Sequence, residues 1–153
     1  MKPVQIHASC VAIRSKGILI LGESGAGKSD LALRLMDDGA RLVADDRTEL
    51  SIERGRLCAR APKSIAGLIE VRGLGIVAQP FAMKAMIALT VKLDAAPERL
   101  PQPAFYMPPE PLKLAKKPPF LLLDGRLPSA PAKIRLALAA FAKGLQREDF
   151  NPT

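Results

Sequence analysis

The segment Gly22-Glu23-Ser24-Gly25-Ala26-Gly27-Lys28-Ser29 constrains this chain more than any other stretch of it. It fits G-x-x-x-x-G-K-[ST], a glycine-rich turn whose successive backbone N–H groups point inward at phosphate oxygens. Glycines permit the backbone angles that such a cradle needs. The helix that follows presents its unpaired N–H groups and partial positive charge to the same anion. Lys28 supplies a mobile cation for the β- and γ-phosphates. Ser29 offers a hydroxyl to Mg²⁺, a hard cation that prefers oxygen ligands. The flanks agree: GILIL (17–21) is a short apolar run before the loop, and 28–38 reads as a helix after it. Leu31 and Leu35, with Leu33 and Met36 beside them, make its apolar stripe, and Gly39 is a stop signal. An α/β fold and a bound nucleotide, ATP or a close relative, follow as expectations.

Elsewhere the pattern predicts mostly strands. Residues 4–13 are strand-like, 41–45 form a second apolar run, and 48–53 with 56–61 flank Arg54-Gly55 as a hairpin. Residues 64–72 suit helix or strand equally, and 85–94 form a strong β run. Ten of the fourteen prolines lie between Pro97 and Pro131, which predicts an extended, irregular surface segment broken by one apolar run, 120–123. A helix over 131–143 closes the pattern, with Pro131 in its first turn and Gly144 past its end. Ile134, Leu138, Phe141 and Leu145 line one face, and Lys133, Arg135 and Lys143 keep the rest basic. No repeat and no linker divides the chain, so a single domain over 1–153 is expected.

At 153 residues the chain can bury roughly 70% of its unfolded surface without a disulfide or cofactor. Cys10 and Cys58 are too few and too far apart for a disulfide framework or zinc site, so buried free thiols in a reducing, cytoplasmic setting are expected. No apolar run approaches the ~18 residues of a membrane span, and the N-terminus lacks the apolar core of a signal peptide. The net charge of +8 suits a polyanionic partner. The six aromatics are not interleaved with basic residues, which argues against a nucleic-acid stacking platform. A phosphate ligand or an acidic protein fits better.

A nucleotide site also needs a carboxylate near the metal or the nucleophile. Three apolar runs end in Asp: LVADD (Asp45, Asp46), ALTVKLD (Asp94) and FLLLD (Asp124). Pattern alone does not choose among them.

The ordered set of glycine-rich loop, RLVADD and IEVRGLGI, with IHAS upstream and Glu98-Arg99-Leu100 downstream, resembles the HPr kinase/phosphorylase family over about residues 5–100. The resemblance implies a P-loop kinase-type core: a mixed sheet, a helix after the phosphate loop and a C-terminal helix. It implies an ATP- and Mg²⁺-dependent protein serine kinase acting on HPr or an HPr-like phosphocarrier. In that assignment Asp46 is the base that accepts the substrate serine's proton, and in reverse it protonates the leaving oxygen. Ser29 and Glu70 hold Mg²⁺, Lys28 neutralises phosphate charge, and His7 and Arg99 support the site. Arg72, Gly73, Leu74 and Gly75, continuing to Ile76, line it. Asp45 is left a structural or supporting part.

Two departures from the family stand out. Nothing before His7 matches the N-terminal domain of longer members, so a catalytic core alone is expected. Beyond about residue 105 no R-P-G-R segment is found, which puts the reverse, phosphorolytic reaction in doubt. Family members form homohexamers, so a homo-oligomer is expected. Two other readings share the loop: a small-molecule kinase or carboxykinase-like enzyme, and a nucleotide-binding regulatory switch. The lack of an N-K-x-D motif counts against a GTPase.

Overall fold

The computed structural model describes residues 2–144, so Leu145, expected on the last helix, lies outside them. The chain opens on β1 (Val4–His7) and β2 (Ser9–Ile13), two strands where the sequence pattern predicts one. The break falls at Ala8, whose N–H donates to the Asp46 carbonyl at 3.1 Å. Strand β3 (Lys16–Leu21) runs into the glycine-rich loop and helix α1 (Lys28–Asp37). Then follow β4 (Arg41–Ala44), β5 (Arg47–Glu53), β6 (Arg56–Arg60), a 3₁₀ turn (Lys63–Ile65), β7 (Leu68–Val71), β8 (Gly75–Ala78) and β9 (Ala85–Leu93). Strands β10 (Ala104–Phe105) and β11 (Pro119–Leu123) and helix α2 (Ala130–Lys143) complete the fold.

Nine strands form one mixed sheet in the order β1-β5-β6-β9-β3-β2-β4, and β7 with β8 makes a separate hairpin. Strand β9 is the branch point. Its first residues, Ala85 and Met86, pair with β6, and residues 90–93 pair in parallel with β11. Its other edge carries β3, also in parallel. The sheet thus has two apolar faces with two cores. One core gathers Cys10, Leu19, Val43, Leu50 and Leu57 between the strand layers. The other packs Ile18, Ile20, Leu89 and Val91 against Leu31 and Leu35 of α1 and Ile134 and Leu138 of α2. Burial of such side chains, about 1.5–3 kcal/mol each, is what presses both helices onto the sheet.

Several local expectations hold. Arg54 and Gly55 both have positive φ (53° and 74°) between β5 and β6, as a two-residue hairpin turn of right-handed twist requires. Gly39, at φ 104°, ends α1, with Ala40 N–H returning to the Leu35 carbonyl at 3.0 Å. Both cysteines are free and buried. Two expectations are corrected. Leu33 is off the buried stripe of α1, which consists of Leu31, Ala32 and Leu35, because a residue two positions along a helix turns ~200° away. The proline-rich stretch is not wholly a surface segment: Leu112 and Leu114 are buried in the first core, which anchors it to the sheet. Among the described residues no helix is long and apolar enough to cross a membrane.

Candidate active site

The site is built where β3 ends. Gly25 (φ 82°) and Gly27 (φ 100°) take left-handed angles in the loop, and a Cβ at either would meet nothing, so conformation rather than space demands glycine there. Leu31 N–H donates to the Gly27 carbonyl at 3.0 Å, the first helical bond of α1, which leaves the preceding N–H groups free of helical partners. Lys28, the first residue of α1, is buried, and its Nζ donates to the Gly22 and Glu23 carbonyls at 2.9 and 3.0 Å. Its ammonium is held across the loop mouth by two neutral acceptors, from which a phosphate oxygen can draw it.

Asp45 organises the rest. It is buried, and Ser29 Oγ donates to its Oδ1 at 2.6 Å. Ser9 Oγ, fully buried, donates to the same oxygen at 3.1 Å, and the Glu70 N–H donates to Oδ2 at 3.0 Å. One carboxylate therefore joins the P-loop helix, strand β2 and the β7–β8 hairpin. The other two Asp-ended strands turn their carboxylates elsewhere. Asp94 Oδ1 accepts from Ala96 N–H at 2.8 Å. Asp124 binds Arg126 through backbone and guanidinium, which holds its carboxyl below the usual range.

Asp46 sits next to this hub but faces solvent. Its φ is 68°, and Arg47 N–H bridges across it to the Asp45 carbonyl at 2.7 Å, a three-residue γ-turn. Positive φ in a non-glycine residue is strained, and Asp tolerates it better than most. Ser9 pins the turn as well as the hub: its Oγ accepts the Asp46 N–H at 3.1 Å. The turn throws the Asp46 side chain out of the strand's alternation, so neighbouring carboxylates serve separate places, one inside and one at the mouth.

His7 is exposed on β1 directly across from Arg47, one residue from Asp46. Glu70 is exposed on β7, with its backbone tied to Asp45 and its side chain opposite in facing to buried Ile69. Arg72, Gly73, Leu74 and Gly75 form the tip of the β7–β8 hairpin, and Leu74 and Ile76 are each 73% exposed. Arg99 is exposed after β9 and makes no ion pair among the described residues. The geometry thus gathers the loop, Asp45, Asp46 and the Glu70 backbone in one place, sets His7 next to them, and brings no described contact to Arg99. Ser9 and the central part of Asp45 were not signalled by the sequence. The IHAS segment holds Ser9, but only the pairing of β2 with β4 shows that its hydroxyl meets Asp45.

A hydroxyl and one carboxylate, completed by phosphate and water oxygens, are the donors that Mg²⁺ takes at nucleotide sites. Ser29 and Asp45 present that pair. Among the described residues no cluster of three or more His, Cys, Asp or Glu gathers for a metal.

A strand, a glycine-rich loop and a helix bonded to the Asp that follows β4, on a mixed sheet with parallel β3, β9 and β11, define a P-loop-type α/β domain. Residues 1–96 match the family model described as HPr Serine kinase C-terminal domain, and the chain belongs to that family. The HPr kinase/phosphorylase of Clostridium beijerinckii is 48% identical over 73 residues, which is 48% of this chain and 24% of that protein. That of Clostridium tetani is 42% identical over 88 residues, 58% of this chain and 29% of the relative. The matched region thus spans only about a quarter of the length of these relatives. The structure of the Hpr(Ser) kinase/phosphatase from Coxiella burnetii superposes with a TM-score of 0.75 at 26% identity, over 93% of this chain and 98% of that one. The family match takes in His7, the loop, Asp45, Asp46, Glu70 and the 72–75 tip; Arg99 lies beyond it.

Proposed function

We propose that this chain is an ATP-dependent protein serine kinase that phosphorylates HPr or an HPr-like phosphocarrier. The observation that carries this is the 2.6 Å bond from Ser29 to Asp45, which ties the phosphate loop to the strand end whose next residue is the outward-facing Asp46. A phosphoryl donor in the loop would then meet a seryl hydroxyl at its mouth, where one base serves the hydroxyl. Family membership gives the substrate class its support.

Loop N–H groups and Lys28 hold the phosphates, and Lys28 exchanges two carbonyl partners for phosphate oxygens. Asp46 accepts the proton of the substrate hydroxyl as that oxygen forms its bond to the γ-phosphorus and the bond to the ADP oxygen breaks. His7 and Arg99 support the site, and the 72–75 tip lines it. Mg²⁺, held by Ser29 and Glu70 as the family resemblance implies, with the Asp45 carboxylate bonded to Ser29 as a further donor, would neutralise charge building on the phosphate oxygens. Both free, buried cysteines suit a reducing cytoplasm. A homo-oligomer is expected from the family, and sedimentation of the full chain tests it.

The test is transfer of labelled γ-phosphate from ATP with Mg²⁺ to an HPr carrier whose target serine is intact or changed to alanine. Label on the intact carrier alone supports the proposal, and inorganic phosphate then tests the reverse reaction. Label on a metabolite and none on any carrier would move the function to a small-molecule kinase. Tight ATP binding without turnover would make the chain a regulatory switch.

A further inference from the structure

A groove of about 860 Å³ lies between β9, β10, β11 and the C-terminal end of α2. No residue of the phosphate loop lines it, but Lys16 does. Lys16 begins β3 and Gly22 follows its end, so at ~3.3 Å per residue the two places stand roughly 20 Å apart.

Its lining has two components. The floor is apolar and includes Phe105, Phe120 and Phe141, three of the chain's five phenylalanines, with Phe105 63% exposed. The charged part is cationic: Lys16, Arg56, Lys116 and Lys117, against Glu98 as the one lining acid among the described residues. None of the four cations has an ion pair among the described residues. Four cations along one apolar hollow give it a positive potential, although Lys117 Nζ also donates to the Leu114 carbonyl at 3.4 Å. An anion neutralises that potential. The volume falls in the range of small-molecule sites, and exposed apolar surface rimmed by polar groups is typical of them.

We infer that this groove binds a small amphipathic anion, a carboxylate, sulfonate or phosphate on an apolar, ring-sized body, one per chain. The rings cover the body and the lysine and arginine heads take the charge. The site is separate from the nucleotide loop and stands whether or not the chain is a kinase.

The test uses the full chain with two fluorescent probes of one shape, anionic 8-anilinonaphthalene-1-sulfonate and its neutral counterpart N-phenyl-1-naphthylamine. The sulfonate is expected to bind saturably at one per chain, about tenfold or more tighter than the neutral probe, and without displacement by Mg²⁺-ATP. The double variant Arg56→Glu/Lys116→Glu should weaken the sulfonate about tenfold and leave the neutral probe unchanged. Phe105→Ser should weaken both. These positions are exposed, so thermal melts of the variants should overlay the parent's. Equal affinity for the two probes, non-saturating binding, displacement by Mg²⁺-ATP or indifference to the charge reversal would overturn the proposal. Self-association abolished by the charge reversal, with no sulfonate bound, would make a second copy of the chain the occupant instead and equally overturn it.

Discussion

Asp45 and Asp46 are neighbours, one buried and one exposed, and each makes a different prediction. Asp45 carries two serine hydroxyls and a backbone N–H. Asp45→Ala strands the buried Ser9 hydroxyl and the Glu70 N–H, and should cost about 2–4 kcal/mol in urea unfolding. It should also weaken the Mg²⁺-dependent part of ATP binding seen by calorimetry. Asp46 contributes little to the fold and stands in a left-handed turn. Asp46→Gly relieves that strain while loosening the unfolded chain, so stability should stay within roughly 1 kcal/mol. On the proposed function, transfer to the carrier should nonetheless vanish, with ATP binding intact. A stability loss for Asp46→Gly as large as that for Asp45→Ala would refute this division. The run LVADD announces two acids in the sequence. It does not say which is inside, because the γ-turn that separates them depends on Ser9, far away in sequence.

At the scale of elements, β3 and β9 are the pair on which the loop rests. A Cβ at Gly17 would lie 2.9 Å from the Met86 carbonyl and 3.1 Å from the Ala85 Cβ. Gly17→Ala should therefore push β3 from β9 and cost about 1–3 kcal/mol, measured by urea unfolding. The β5–β6 hairpin carries an acid-sensitive cluster. Glu53 accepts Arg60 and Lys84 at 2.7 Å each, and the Cys58 thiol together with these cations lowers its pKa to about 2. A depressed carboxylate stabilises the fold above its unfolded pKa and ceases to as pH falls through the folded one. The contribution of Glu53 is therefore full above about pH 4.5 and gone near pH 2. Glu53→Gln should flatten the stability profile across that window, and an unchanged slope would remove Glu53 as its source. The hairpin turn was legible because Arg54-Gly55 sits between two alternating runs. The split of 4–13 into β1 and β2 was not, because it comes from two different partner strands rather than from a local breaker.

For the whole molecule, the curled sheet encloses both thiols. Burial raises the pKa of Cys10 far above the usual thiol range and also raises that of Cys58, with the Glu53 carboxylate adding to the second. Neither should react with Ellman's reagent at pH 8 in the native state, and both should react on guanidinium unfolding. Rapid native labelling at either would mean that the sheet opens. The helices are coupled on the other face: Arg135 of α2 binds Asp38 at 2.9 Å, and Arg34 of α1 donates to the carbonyls of Gly125 and Leu127. The chain after β11 is thereby secured to the P-loop helix.

The sequence by itself determined the phosphate loop, its strand and helix, the hairpin turn, the helix ends and the family. The local elements are written in contiguous residues whose spacing, backbone freedom or capping acts within a few positions, and the family in the order of such short segments along the chain. Tertiary structure alone decided that Asp45 rather than Asp94 or Asp124 meets Ser29, that Ser9 holds both acids, and that Leu112 and Leu114 anchor the proline-rich stretch. It also gathered Lys16, Arg56 and Lys116 around one groove. Those outcomes turn on strand order and sheet curl, set by burial of many side chains at once, and no local pattern carries that information.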